Sequence, residues 1–405
     1  MQIQPIRAEA ESLRGNRGRS RGREEPAGQA EIAVWDRFLR LFHWGLGLAV
    51  ALALLTSGQP GQPWIGIHVA AGVTALGLVV LRLLWGLFGP GAARFSAFVI
   101  LSPKALAEHL RALRANRSPR FISHNPLGAL MVLALLCTIL ALAPTGTLAL
   151  GGLYRIGPAA AFLPARWGEI AAALHALLGN GIMILIAAHL AGVIFESRRH
   201  RENLARAMIT GRKPRRAGDV MPPARRARPI LTALFGAALL GAGAWGAVTL
   251  SQARPRGLPV APADFDPAFA EECSACHMLY NPALLPASDW KRLMATLPDH
   301  FGEDASLDPA TTARITAFLT AHSAETADIR ASRSFRLRGG GRKGGPASLE
   351  ENPAWRAYHE DLPPALFKSG AVLSAANCVA CHKDAEAGIF SPFAIEIPKH
   401  ADTKE

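Results

Sequence analysis

Cysteine is scarce in this chain, five residues among 405, and residues 1–30 contain no apolar h-region. That stretch, rich in Arg, Gly and Glu, reads neither as a signal peptide nor as a helix that packs. It is expected to be part of a disordered basic cytoplasmic tail over 1–34. No aromatic-rich basic motif of the nucleic-acid modules occurs, so a net charge of +13 and a pI near 10.2 do not mark a nucleic-acid binder. The run Gly339-Gly340-Gly341-Arg342-Lys343-Gly344-Gly345 lacks the preceding strand and following Ser or Thr of a phosphate loop. It reads as a flexible connector between two lobes.

Apolar residues make up 50% of the chain, and the mean hydropathy is +0.17, too greasy for one soluble domain of such basicity. Five apolar runs, near 38–57, 65–87, 126–146, 169–195 and 230–250, each approach the length that spans a bilayer at about 1.5 Å per residue. Lys and Arg fall in blocks between them: Arg14 to Arg40, Arg94 to Arg120, and Arg198 to Arg228. The opposite connections are nearly bare, with none at 58–64 and only Arg155 and Arg166 at 147–168. The positive-inside rule puts the N-terminus and the basic loops in the cytoplasm, and five crossings deliver 251–405 to the periplasm. The expected units are a bundle at 35–200, a basic loop at 201–229, a fifth span at 230–250 and an exported domain at 251–405. Apolar spacing predicts helices over 288–298 and 308–322 in that domain.

Four of the cysteines form two copies of one pattern, Cys273-Ser274-Ala275-Cys276-His277 and Cys378-Val379-Ala380-Cys381-His382. Cys-x-x-Cys-His is the signature of covalent haem attachment. Two thiols three positions apart reach the two vinyl groups of a porphyrin, and the adjacent His becomes the proximal iron ligand. A Cys₄ zinc site and a thioredoxin-like pair are the competing readings, and the His after each pair on an exported segment argues against the zinc site. The residues alone leave the sixth ligand open among His300, His322, His359, Met278 and Met294. The fifth cysteine, Cys137, reads as a small core residue.

Residues 271–398 also resemble the small di-haem cytochrome c family that donates electrons to a soluble oxygen-binding haem protein. The resemblance rests on both Cys-His motifs, Leu284-Leu285-Pro286-Ala287-Ser288-Asp289-Trp290, His300-Phe301-Gly302, Ala376-Asn377 and Gly388-Ile389-Phe390. It implies two haem c groups with bis-histidine iron, and hence His300 and His359 as distal ligands.

Ionisable residues inside spans are functional candidates by default. Four histidines qualify: His43 and His189 near the cytoplasmic level, His68 and His175 near the outer level. His175 and His189 are fourteen residues apart, almost four turns, so they share a helix face about 21 Å apart along the axis. Each level is expected to clamp one haem b between helices of a four-helix bundle. Isolated polar contacts between helices are the alternative. Residues 33–213 further resemble the bacterial cytochrome b561 family, close to the b-type subunits of nickel–iron hydrogenases. The matching residues are Trp35-Asp36, Arg40, His43-Trp44, His68, Gly72, Arg82-Leu83, Trp85-Gly86, His124-Asn125-Pro126-Leu127-Gly128, His189-Leu190-Ala191-Gly192-Val193 and Glu202-Asn203-Leu204. The resemblance implies the same two histidine pairs. Arg82 is expected at the cytoplasmic interface or on a haem propionate.

The expected fold is all-α: a transmembrane four-helix di-haem bundle, a fifth transmembrane helix and a mostly α di-haem cytochrome c domain. The expected function is electron transfer in the bacterial inner membrane, among lipid, from the quinol pool to a periplasmic haem protein. Such a chain is an electron carrier or a quinol:cytochrome-type oxidoreductase. Two alternatives stand beside it. In one, Arg155 and Arg166 draw superoxide to the outer haem and quinone takes the electron. In the other, the bundle is a non-redox anchor for a c-type cytochrome.

Overall fold

The computed structural model describes residues 31–59, 61–98, 103–217, 219, 225–253, 255–339 and 348–398. The expected tail at 1–30 and nearly all of the Gly-rich connector lie outside them. Five helices have the length and apolarity of membrane spans: α1 (Arg37–Thr56), α2 (Trp64–Phe88), α4 (Pro126–Tyr154), α5 (Ala165–Arg199) and α7 (Pro229–Ser251). Between them lie two shorter helices, α3 (Pro103–Arg114) and α6 (Leu204–Thr210). The starts of the spans are written locally. Asp36 caps α1 by accepting from the Leu39 N–H at 2.9 Å, and Asn125 caps α4 by accepting from Gly128 at 2.7 Å with Pro126 in the first turn.

Helices α1 and α2 form one hairpin, α4 and α5 another, and α2 packs on α4 to close the bundle. Leu39, Phe42, Ala49, Val79, Leu136, Ile139 and Ile182 fill its interior. Helix α7 lies outside it against α2, where Phe235 stacks on Phe88 at 5.7 Å. The outward faces are apolar: Leu41, Leu55, Ile184 and Trp245 are each at least 70% exposed. In water such a surface is a liability, whereas in a bilayer the solvent itself is hydrocarbon. The same reasoning corrects the core placement of Cys137, which is exposed on α4. Apolarity in a span does not distinguish a residue facing the bundle from one facing lipid.

The end of the bundle that gathers the Arg-rich connections (the basic end) is closed by an ionic knot. Arg120 donates to Asp219 at 2.7 Å and to Glu202 at 2.5 Å, and Lys213 stands 3.6 Å from Glu202, with all four side chains at most 8% exposed. Two three-residue strands, β1 (Glu31–Ala33) and β2 (Arg212–Pro214), pair antiparallel beside it. They are a small departure from the all-α expectation. The C-terminal domain sits at the opposite end. Its helices are α8 (Pro267–Cys273), α9 (Ala287–Ala295), α10 (Pro309–Ala321), α11 (Arg330–Gly339), α12 (Pro353–His359) and α13 (Pro364–Phe367). Helices α8, α9 and α10 enclose Phe265, Phe269, Trp290, Met294, Ile315 and Leu319. The predicted helices over 288–298 and 308–322 correspond to α9 and α10.

Candidate haem centres

The eight histidines named from the sequence stand in four pairs. Ring centres are 6.3 Å apart for His43 and His189, 5.9 Å for His68 and His175, 6.2 Å for His277 and His300, and 6.1 Å for His359 and His382. One metal ion between two imidazoles, bonded at about 2.0 Å on each side with a ring centre roughly 1.1 Å behind each nitrogen, demands a separation of roughly 6.2 Å. Direct ring contact or a hydrogen bond between the rings does not require that value four times over.

In four of the eight the second ring nitrogen is held as metal ligation requires, whereas the buried Nδ1 of His43 and of His382 has no partner among the described residues. His68 Nδ1 lies 2.9 Å from the Ala53 carbonyl, His175 Nδ1 3.0 Å from that of Leu142, His277 Nδ1 2.6 Å from that of Met278 and His359 Nδ1 2.7 Å from that of Trp355. A carbonyl oxygen only accepts, so each Nδ1 carries the proton and each Nε2 keeps its lone pair. Gly146 lets α4 approach His175: a Cβ there would stand 3.1 Å from the ring. That glycine and the carbonyl at Leu142 gave no signal in the sequence, because neither is a residue type associated with ligation.

In the C-terminal domain Cys273 ends α8, and Cys378 opens a 3₁₀ turn whose carbonyl accepts from the His382 N–H at 2.8 Å. Burial, reinforced by the charge of Glu272, pushes the Cys273 thiol up to about 11, and burial likewise pushes Cys378 up to about 11. Neither thiol is a ready thiolate of a thioredoxin-like pair. Burial and then His359 push His382 down to about 4, and burial lowers His300 and His359 as well. Neutral imidazoles are the form that binds a metal. Both Cys-His motifs, with His300 and His359, line one cavity of ≈ 1940 Å³. Tyr280 joins the two sites, its ring 5.1 Å from His277 and its hydroxyl donating to the Ala376 carbonyl at 2.6 Å. The donors fit a macrocycle held by two thiols and two axial rings. Among the described residues no group of three or more His, Cys, Asp or Glu is placed to hold a bare metal ion.

The other sixth-ligand candidates are elsewhere: His322 packs on Phe318 at 4.9 Å, Met294 is buried in the domain core, and Met278 offers His277 its carbonyl. Arg82 is buried, and its Nη1 has no partner among the described residues. It is 2% exposed, over the Phe95 ring at 4.9 Å, because Phe95 and Phe98 fold across the end of α2. His124 is packed between Trp35 at 5.0 Å and Phe98 at 4.9 Å. Arg155, expected on a bare loop, is 9% exposed and engaged by Asp328. Arg166 lies over Trp167 at 5.2 Å.

A helical membrane bundle and a helical domain, carrying between them four histidine pairs at ligand spacing and two Cys-His motifs, define a membrane electron-transfer protein of the cytochrome class. Comparison with known families agrees: residues 34–211 match "Prokaryotic cytochrome b561" and residues 269–390 match "Dihaem cytochrome c". A solved diheme cytochrome c from Rhodobacter sphaeroides is 42% identical over 31% of this chain and 96% of that chain, with a TM-score of 0.27. One from Shewanella baltica OS155 is 33% identical over 33% of this chain and 92% of that chain, with a TM-score of 0.27. No curated protein matches. The chain belongs in its C-terminal part to the dihaem cytochrome c family, which binds c haem, and its membrane part matches the model of the cytochrome b561 family, which binds b haem.

Proposed function

We propose that this chain takes electrons from membrane quinol and delivers them to a periplasmic acceptor, a small haem protein, across the bacterial inner membrane. The observation that carries the reading is the repeated spacing of the histidine pairs, two in the bundle and two in the domain at its end. Haem, two b-type and two c-type, supplies reversible one-electron chemistry when bound.

The chain's residues supply the rest. His43 with His189 and His68 with His175 hold the two bundle stations, and His277 with His300 and His359 with His382 hold the two exported ones. Cys273, Cys276, Cys378 and Cys381 provide the covalent links. Two imidazoles at each station would hold its haem without leaving a position for oxygen, so the bound haems would exchange electrons only. Each quinol yields two electrons and two protons. Two acceptor molecules take one electron each, and the protons leave to the aqueous phase. The basic end, with its Arg blocks, faces the cytoplasm, and 251–405 faces the periplasm. The functional units run 1–34, 35–200, 201–229, 230–250 and 251–405.

The burial of Arg155 against Asp328 weakens the superoxide reading, which needs that guanidinium exposed. Histidine pairs at both levels of the bundle weigh against a non-redox anchor. The test is a spectral titration of the purified protein with a quinol analogue. Reduction of b-type and then c-type absorption supports the proposal. Reduction by superoxide and none by quinol overturns it.

A further inference from the structure

Side chains outside the four centres tie the C-terminal domain to one end of the bundle. Asp328, just before α11, accepts from Arg155 Nη2 at 2.9 Å through Oδ2, and its backbone carbonyl accepts from the same nitrogen. The same Oδ2 accepts the Ala165 N–H at 3.0 Å. Arg155 follows α4 and Ala165 opens α5, so one carboxylate gathers both helix ends. It also serves a first-turn N–H of α5, which Pro164, the residue before the helix, cannot cap with its side chain. Arg333 of α11 grips Glu169 of α5 with two bonds, at 3.0 and 3.1 Å. Arg330 lies over both Tyr154 and Tyr358, 5.6 and 4.7 Å from their ring centres, and donates to the Tyr154 hydroxyl.

A second contact lies in the loop before α2. Gly61, at φ +71°, approaches Ile395 so closely that a Cβ would stand 2.4 Å from the Ile395 carbonyl oxygen. Ile395 pairs through its backbone with His382, and the neighbouring Glu396 N–H donates to the Cys381 carbonyl at 2.8 Å. On the bundle side, His68 lies four residues into α2, about 6 Å along the axis from its start. Arg330, which meets Tyr154 of the bundle, also lies over Tyr358, the residue before His359. The docked face of the domain is therefore the face of the second Cys-His site. None of these contacts with the bundle involves Cys273, Cys276, His277 or His300 of the first site.

We propose that Asp328 is a positioning residue. With Arg333 it clasps the domain so that the Cys378–Cys381–His382 site faces the His68–His175 level. The second site then takes electrons, one at a time, from the bundle, and the first site, with Cys273, Cys276 and His277, passes them to the external acceptor. The proposal rests on the electron-transfer reading above and adds an order to it.

The test uses the full-length haem-loaded protein in lipid nanodiscs, as parent, Asp328→Arg, Asp328→Glu and the swap Arg155→Asp with Asp328→Arg. Hydrogen exchange at Ala165 and Glu396 reports docking without any electron transfer. Stopped-flow spectra after a quinol analogue report b-type and c-type reduction separately. Removing one partner of a hydrogen-bonded charge pair in which Arg155 is buried and Asp328 is 38% exposed weakens the contact by on the order of tenfold. Asp328→Arg is expected to raise exchange at both amides and to slow c-type reduction by on the order of tenfold. Covalent haem content and b-type reduction stay at the parental level. Asp328→Glu restores both readouts, and the swap, whose arginine cannot accept the Ala165 N–H, restores exchange at Glu396 and c-type reduction. In a second arm, His359→Ala keeps electrons from reaching the first site, whereas His300→Ala leaves the second site reducible. Unchanged exchange and unchanged c-type reduction in Asp328→Arg overturn the proposal, as does severance by His300→Ala but not His359→Ala. Should quinol reduce no b-type absorption in the parent, the donor is wrong. The same comparisons made with a soluble one-electron reductant then still decide the clasp and the order.

Discussion

Gly146 offers a test of the outer bundle station that touches no proposed ligand. A Cβ at this position would lie 3.1 Å from Cε1 and 3.3 Å from Nδ1 of His175. Carbon contacts are optimal at about 3.5–4.0 Å, so alanine forces the ring back by roughly half an ångström. Valine, whose branches reach about 1.5 Å farther, forces a shift of roughly 2 Å. The ring cannot simply swing aside, because Nδ1 is bonded to the Leu142 carbonyl and lies 3.3 Å from the Thr145 hydroxyl. A metal–imidazole bond tolerates a displacement of only about 0.2 Å. Overpacking costs about 1–3 kcal/mol, too little to unfold a protein stable by about 5–15 kcal/mol. Gly146→Val is therefore expected to fold, keep both covalent haems and lose six-coordinate ligation at the His68–His175 level alone. Electron paramagnetic resonance of the oxidised protein reads this as one low-spin b signal replaced by a high-spin signal or lost, with Gly146→Ala intermediate. Two intact low-spin b signals in Gly146→Val would refute the assignment of His175.

Other expectations concern the frame around the stations. Arg120→Ala leaves Glu202 and Asp219 buried with only Lys213 for charge, which costs about 3–5 kcal/mol and shows as a lowered Tm, whereas Glu31→Gln, losing the exposed 3.9 Å pair with Arg212, costs at most about 1 kcal/mol. Burial opposes ionisation of Asp219, but the Arg216 N–H and Arg120 overcome it and hold its carboxyl below the usual range. Its contribution is therefore complete above the ordinary value of about 3.9 and lost as pH falls through the lower folded value, so the Arg120→Ala penalty in Tm shrinks in acid. Asp36→Ala removes both the α1 cap and the acceptor of the Trp85 Nε1–H at 3.1 Å, and about 1–2 kcal/mol of stability is expected to go with it, read by thermal unfolding of the bundle.

The features legible in the sequence were those that membrane physics makes conspicuous. The five spans stand out because hydrocarbon requires long apolar helices, and α4 runs past its predicted end because Gly151 and Gly152 pack closely on Ala159 and Gly168. His43, His68, His175 and His189 stand out because ionisable groups are costly in a span, and depth alone matched them into the pairs that the helices bring together. The Cys-His motifs are local and could be read directly, whereas the residues alone left the sixth ligand open among His300, His322, His359, Met278 and Met294. Long-range partners could not. Arg120 meets Asp219 across 99 positions and Asp328 meets Arg155 across 173, and no local pattern encodes either pairing. Arg155 looked like a bare loop cation because its partner lies in a different domain. Helix α3 was hidden by its own charges, which were counted only as a cytoplasmic block.

The most direct measurement is a pyridine haemochrome count on the purified full-length chain, repeated for His189→Ala and His382→Ala alongside low-temperature resonance spectra. Two b and two c chromophores per chain are expected, all low-spin. His189→Ala should lack the basic-end b signal, and His382→Ala should lose low-spin character at one c site only. A parent protein with c-type absorption alone, or a His189→Ala protein with unaltered b content, would contradict the assignment of imidazole pairs to four irons.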